Sequence, residues 1–224
     1  MGERVTFKSN GGTAEGYLAR PKRPGPGVIV IQEWWGLVPH IQHVADRFAD
    51  AGFVALAPDL YHGKQTKSPD EAGKLMMSLR VDDAARDLAG AIDRLAAEKD
   101  VTSERVATIG FCMGGQLALF AACEYPERID AVVDFYGVHP AAKPDVTRLS
   151  GPVLAHFANR DKSTTPAIAN ALVERIRDAG KDVEVHFYEA DHAFFNDQRP
   201  TVYNAEAAKL AWDRTLAFLK KTLV

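Results

Sequence analysis

Val28-Ile29-Val30-Ile31 constrains the fold of this chain more than any other stretch. Four consecutive β-branched apolar side chains suit a strand, and a strand without polar alternation must be covered on both faces. A cover follows directly: Ile41, Val44, Ala45, Phe48 and Ala49 recur at helical spacing and stop at Gly52. The alternation then repeats. Strands are predicted over 53–57, 105–110, 129–135, 152–157 and 183–188. Helices are predicted from the capping pattern Ser68-Pro69-Asp70-Glu71, over 82–97 and 113–123, from Thr165-Pro166 to about Ala179 ahead of Gly180, and over 201–220. Such a pattern specifies the α/β class, with a mostly parallel sheet and helices on both faces. The beginning differs: 5–9 and 14–20 alternate around Asn10-Gly11-Gly12, an N-terminal β-hairpin. With 224 residues and no repeat, linker or low-complexity run, residues 1–224 read as a single domain.

Several function classes are disfavoured. The formal net charge is −3, and basic residues come as scattered pairs such as Lys22-Arg23 and Lys220-Lys221, so neither nucleic acid nor an anionic membrane is expected as a partner. The polar start has no apolar signal core. Residues 106–123 are apolar but broken by Gly110, Gly114, Gly115 and Gln116, short of the roughly 20 apolar residues a membrane span requires. Cys112 and Cys123 are the two cysteines. If both lie on one helix, they are roughly 16 Å apart, beyond the ~7 Å that a disulfide tolerates. Two free thiols suit a reducing cytoplasm, and no ligand spacing suggests a metal.

The chemistry concentrates at Gly110-Phe111-Cys112-Met113-Gly114-Gly115. This G-x-C-x-G lies between a predicted strand and a predicted helix, the nucleophile-elbow arrangement with cysteine in place of serine. The tight turn strains the nucleophile's backbone, glycines two residues either side relieve crowding, and the helix N-terminus favours thiolate. The partners should follow in the order acid, then base. Asp161 and His192 each sit on a loop leaving a predicted strand. Asp191 is a rival acid, although adjacent residues rarely aim at one partner. His40 and His43 fall on an early helix, and His156 and His186 inside strands. Gln32-Glu33-Trp34-Trp35-Gly36 follows the first buried strand, where the second oxyanion loop belongs; the expected donors are the Trp34 and Met113 backbone N–H groups. Glu33 is either exposed on this loop or buried and in need of a partner.

These motifs, with Pro58-Asp59-Leu60-Tyr61, Tyr136-Gly137-Val138 and His192-Ala193-Phe194, resemble the dienelactone hydrolase (carboxymethylenebutenolidase) family of α/β hydrolases across most of the chain. The resemblance implies the α/β-hydrolase fold and a cofactor-free, metal-free ester or lactone hydrolase acting on a small molecule. Cys112, Asp161 and His192 would be its catalytic residues, and the protein would be a monomer or homodimer. It also implies that Glu33 pairs with the resting nucleophile until substrate swings the thiol toward the base. Trp35, Tyr136 and Phe194 are expected at the substrate. Archetypal members place an arginine just after His-x-Phe, where this chain has Phe195 and Asn196. Lys64, Lys67, Arg80 and Arg199 are the substitute cations, and Trp34 and Trp35 either enlarge an apolar site or pack beneath the loop. The alternatives are a redox sensor, for which Cys123 is a distant resolving thiol, and a binding protein that kept the fold without turnover.

Overall fold

The computed structural model describes residues 2–223. Strands β1 (Glu3–Ser9) and β2 (Gly12–Ala19) form the hairpin, with Ser9 opposite Gly12. Asn10 and Gly11 make the turn at φ 47° and 75°. Two left-handed residues match the right-handed twist of the flanking strands, which is why Asn-Gly signals this turn.

The rest of the chain winds through β3 (Gly27–Ile31), α1 (Pro39–Asp50), β4 (Val54–Pro58), α2 (Pro69–Ser78), α3 (Val81–Ala96), β5 (Val106–Phe111), α4 (Met113–Glu124), β6 (Ile129–Phe135), β7 (Val153–Ala158), α5 (Pro166–Asp178), β8 (Val183–Tyr188) and α6 (Ala205–Leu223). One eight-stranded sheet results, in the order β1-β2-β4-β3-β5-β6-β7-β8. The pairs β1·β2 and β2·β4 are antiparallel and the others parallel. The chain moves to one side of β3 for β4 and to the other for β5. That reversal opens a crevice beyond the carboxyl ends of β3 and β5, where doubly wound sheets bind ligands.

The β3 run explains the layers. Ile29 and Ile31 pack with Leu88 and Leu95 of α3 and Leu117 of α4. Val28 and Val30 pack with Val44 and Phe48 of α1 and Ala211 and Leu219 of α6. Each such side chain gains about 1.5–3 kcal/mol on full burial, so both faces of β3 anchor a helical layer. The helix α2 is different: Ala72 is its one buried residue. Its cap, Ser68, accepts the Glu71 N–H, while the Glu71 carboxylate accepts the Thr66 hydroxyl at 2.5 Å.

The closing helix begins at Ala205 rather than the expected 201. The Val202 and Tyr203 N–H groups both donate to the Arg199 carbonyl, which makes a turn. Asn204 then caps the helix, its Oδ1 accepting the Ala207 N–H at 3.1 Å. The irregular segments expected at 61–67, 136–151 and 190–200 follow β4, β6 and β8, and the middle one includes a 3₁₀ turn at Val146–Arg148.

Candidate active site

Cys112 alone connects β5 to α4, at φ 55° and ψ −123°. A non-glycine residue in this region carries roughly 1–3 kcal/mol of strain, and it persists because its surroundings hold it. The Cys112 N–H donates to the Phe135 carbonyl at 3.0 Å, and its own carbonyl accepts from the Gly115 and Val138 N–H groups at 3.0 and 3.1 Å. The flanking glycines allow the close approach. A β-carbon on Gly110 would lie 1.9 Å from the Gly114 carbonyl oxygen, and one on Gly114 would lie 2.5 Å from that of Gln32.

His192 and Asp161 reach the same place from the ends of β8 and β7. His192 Nδ1 is 2.6 Å from Asp161 Oδ2. The second oxygen, Oδ1, accepts the Ser163 and Thr164 N–H groups at 2.7 and 2.9 Å. A buried carboxylate with both oxygens occupied is held in place, so it sets the orientation of the imidazole. Asp191 points elsewhere, pairing with Arg160 at 3.4 Å. Burial opposes a proton on His192, but the hydrogen bond that the ring donates to Asp161 and the nearby Cys112 sulfur outweigh it and raise the imidazole to about 10. The ring therefore keeps a proton readily when it faces a negative sulfur.

Glu33, Trp34, Trp35, Cys112 and His192 share one pocket of about 320 Å³. Glu33 is 1% exposed, which resolves the two readings of this residue. Its Oε2 accepts the Asn196 Nδ2 at 2.7 Å, and its Oε1 has no partner among the described residues. Trp34 stands in the pocket wall with Cys112, and Met113 is the first residue of α4.

The outer positions sort differently. Trp35 lines the pocket, meeting Trp34 edge-on at 5.0 Å. Phe194, expected at the substrate, is instead fully buried, packed on Tyr136 and Tyr188. Tyr136 is also fully buried, and its ring stands 5.0 Å from that of His192. It supports the imidazole from within the core rather than facing the pocket. Of the cations, Arg199 lines the pocket, whereas Arg80 is exposed and pairs with Asp83 at 3.1 Å. Lys67 lines a neighbouring hollow, and the Lys64 side chain is exposed. Met76 and Ser163 escaped the sequence reading, whereas Val138, in the Tyr136-Gly137-Val138 motif, and Asn196, next to the His192 turn, carried a positional signal but no site role. Among the described residues no group of three or more His, Cys, Asp or Glu side chains could hold a metal.

A model of the dienelactone hydrolase family matches residues 14–223. Protein usf of Aquifex pyrophilus is 39% identical over 230 residues, covering 100% of both chains. A protein of Aquifex aeolicus, provisionally named a carboxymethylenebutenolidase, is 34% identical over 230 residues with the same full coverage. A crystal structure from Klebsiella pneumoniae, provisionally named a dienelactone hydrolase, is 30% identical, covers 97% of each chain and superposes with a TM-score of 0.87. The sheet order, the elbow and this whole-length similarity agree: the chain has the α/β-hydrolase fold and belongs to the dienelactone hydrolase family.

Proposed function

We propose that the protein hydrolyses ester or lactone bonds of small molecules through a Cys112–His192–Asp161 triad and a thioacyl intermediate. The observation that carries this reading is a cysteine at a strained strand-to-helix turn facing an imidazole that a buried carboxylate holds at 2.6 Å. His192 takes the thiol proton and Cys112 Sγ attacks the carbonyl carbon. The oxyanion rests on the Trp34 and Met113 N–H groups. As the tetrahedral intermediate collapses, the carbon–oxygen bond to the alcohol breaks and His192 returns the proton to the leaving oxygen. Water then gives a proton to His192 and attacks the thioester. The acid departs and Sγ recovers its proton. In this structure the sulfur faces His192; Glu33, with one oxygen tied to Asn196 and the other unpartnered among the described residues, is the group to which the thiol would turn before substrate binds.

No step requires a metal or organic cofactor, and free thiols suit a reducing, cytoplasmic setting. Cys123 gives the redox reading no support: it is fully buried, and burial pushes its thiol up to about 12. The test is hydrolysis of p-nitrophenyl acetate and a panel of small lactones. Cys112→Ala and His192→Ala are each expected to lose about 10³-fold or more in kcat/KM. Full hydrolysis by Cys112→Ala protein would refute the assignment.

A further inference from the structure

The sheet ends in two edge strands, and their side chains differ. β1 carries Glu3, Arg4 and Lys8, all exposed, the kind of charges that keep an edge from pairing. β8 has one exposed charge, Glu184, and contains no lysine, arginine or proline. Its register on β7 runs unshifted from Val153–Val183 to Ala158–Tyr188, so no bulge turns it aside.

The ladder shows which backbone groups of β8 are left over. The Val153 N–H donates to the Asp182 carbonyl at 2.9 Å and the Asn159 N–H to that of Tyr188 at 2.8 Å. Alternate residues of a parallel strand turn to one neighbour, so the even-numbered residues face β7. Val183, Val185 and Phe187 therefore point their N–H and C=O groups away from the sheet. Their side chains are also short of cover. They are half-buried, whereas Val153, Ala155 and Phe157 beside them on β7 are at most 2% exposed.

We propose that β8 pairs antiparallel with β8 of a second copy, about a two-fold axis through Val185, joining the two sheets into one. Outward-facing residues must meet outward-facing residues, which restricts the register to a few choices. Centring on Val185 sets Val183 opposite Phe187, a β-branched–aromatic pair, and Glu184 opposite His186. Centring on Glu184 or on His186 sets that residue against its own copy and shortens the ladder. The Val185 register is thus the one in which the strand is complementary to itself. His186 Nε2 already meets Glu184 Oε1 of its own chain at 2.6 Å, and pairing gathers two such couples into a cluster of alternating sign. Glu184 borders an open groove of about 680 Å³ with Arg214 and Lys221 of α6, which gives the partner's imidazole room. Antiparallel pairing turns the two catalytic crevices to opposite ends of the joint sheet, so neither is covered.

Sedimentation equilibrium of the whole protein tests the interface. The unaltered chain is expected to dimerise and Val185→Pro to be monomeric, because the proline removes an N–H that β7 does not use. His186→Glu brings four carboxylates together and weakens the dimer by about tenfold or more, and adding Glu184→Lys exchanges the signs and restores it. Circular dichroism verifies that each variant is folded; should the proline disturb β8, the charge exchange decides. Cross-linking in a Cys112→Ala background reads the register. Residues opposite each other in a non-hydrogen-bonded pair have α-carbons about 4.5 Å apart, within disulfide reach. Oxidising a mixture of Glu184→Cys and His186→Cys proteins is expected to give the mixed disulfide, and neither protein alone cross-links. A chain that sediments as a monomer up to millimolar concentration overturns the interface, as does a dimer that both Val185→Pro and His186→Glu leave intact. Self-cross-linking of either single-cysteine protein overturns the register and with it the Glu184–His186 pairing.

Discussion

At φ 55° and ψ −123° the Cys112 backbone lies where a β-carbon is penalised and glycine is at ease. Removing the sulfur therefore has two different effects on stability, depending on what replaces it. Cys112→Ala keeps the strain, whereas Cys112→Gly releases it. In urea unfolding the Gly variant is expected to exceed the Ala variant by about 1–2 kcal/mol. At an ordinary helical position the order would be reversed, with Gly the weaker by about 1 kcal/mol. Equal stabilities would show that the elbow stores no strain. The turn was legible in the sequence because strain of this kind demands glycines at fixed offsets. The Asn196 contact to Glu33 was not, because an asparagine in a loop can bond to many neighbours and its spacing names none of them. Its amide is oriented here by the Gln198 N–H, which donates to Oδ1 at 3.1 Å and leaves Nδ2 for Glu33.

The junction of β6 with α4 contains a carboxyl group that the proposed reaction does not use. Asp134, near the end of β6, is 1% exposed, and neither oxygen has a partner of good geometry among the described residues. The α-carbons of Gly115 and Gly137 close over it, leaving no room for side chains there. Burial raises its carboxyl to about 7, and the Gly137 N–H pulls only weakly the other way. The sign of the linkage follows. Unfolded, the group ionises near 3.8; folded, it holds its proton to about 7. The associated stability is fully present below the lower value and is lost as pH rises to the upper one. Each pKa unit is worth about 1.4 kcal/mol. Asp134→Asn, neutral throughout, is expected to match the parent near pH 4 and to be more stable by a few kcal/mol near pH 8. Denaturant midpoints at those two pH values decide it: a gap independent of pH would mean that Asp134 is already solvated or paired. The sequence marked β6 correctly, yet an apolar strand pattern with one Asp near its end does not say whether that Asp faces solvent or a closed helix turn.

Across the whole molecule, what the sequence reading captured is what periodicity encodes. The doubly covered β3 run, the helical stripes and the glycine stops delivered the layers, and the strand ends delivered the neighbourhood of Cys112, Asp161 and His192. Long-range side-chain pairing was not encoded in that way. His40–Asp197 and Glu33–Asn196 join residues more than 150 positions apart, and Phe194 was assigned to the substrate although the fold draws it into the core. The two thiols report on this architecture. Cys112 opens onto the pocket, while Cys123 is fully buried in α4, which is sandwiched between the sheet and α3. Iodoacetamide is therefore expected to alkylate Cys112 in the native protein. Cys123 becomes reactive only in molecules that have unfolded, slowed by about 10⁴-fold or more for a domain of ordinary stability. Because α4 bridges both the elbow and the core, its release requires the global transition. Peptide mass spectrometry across a urea series should thus give Cys123 alkylation the same denaturant slope as equilibrium unfolding. A markedly shallower slope would mean that α4 detaches from an otherwise folded sheet, and the elbow would then rest on a locally mobile helix rather than on the core.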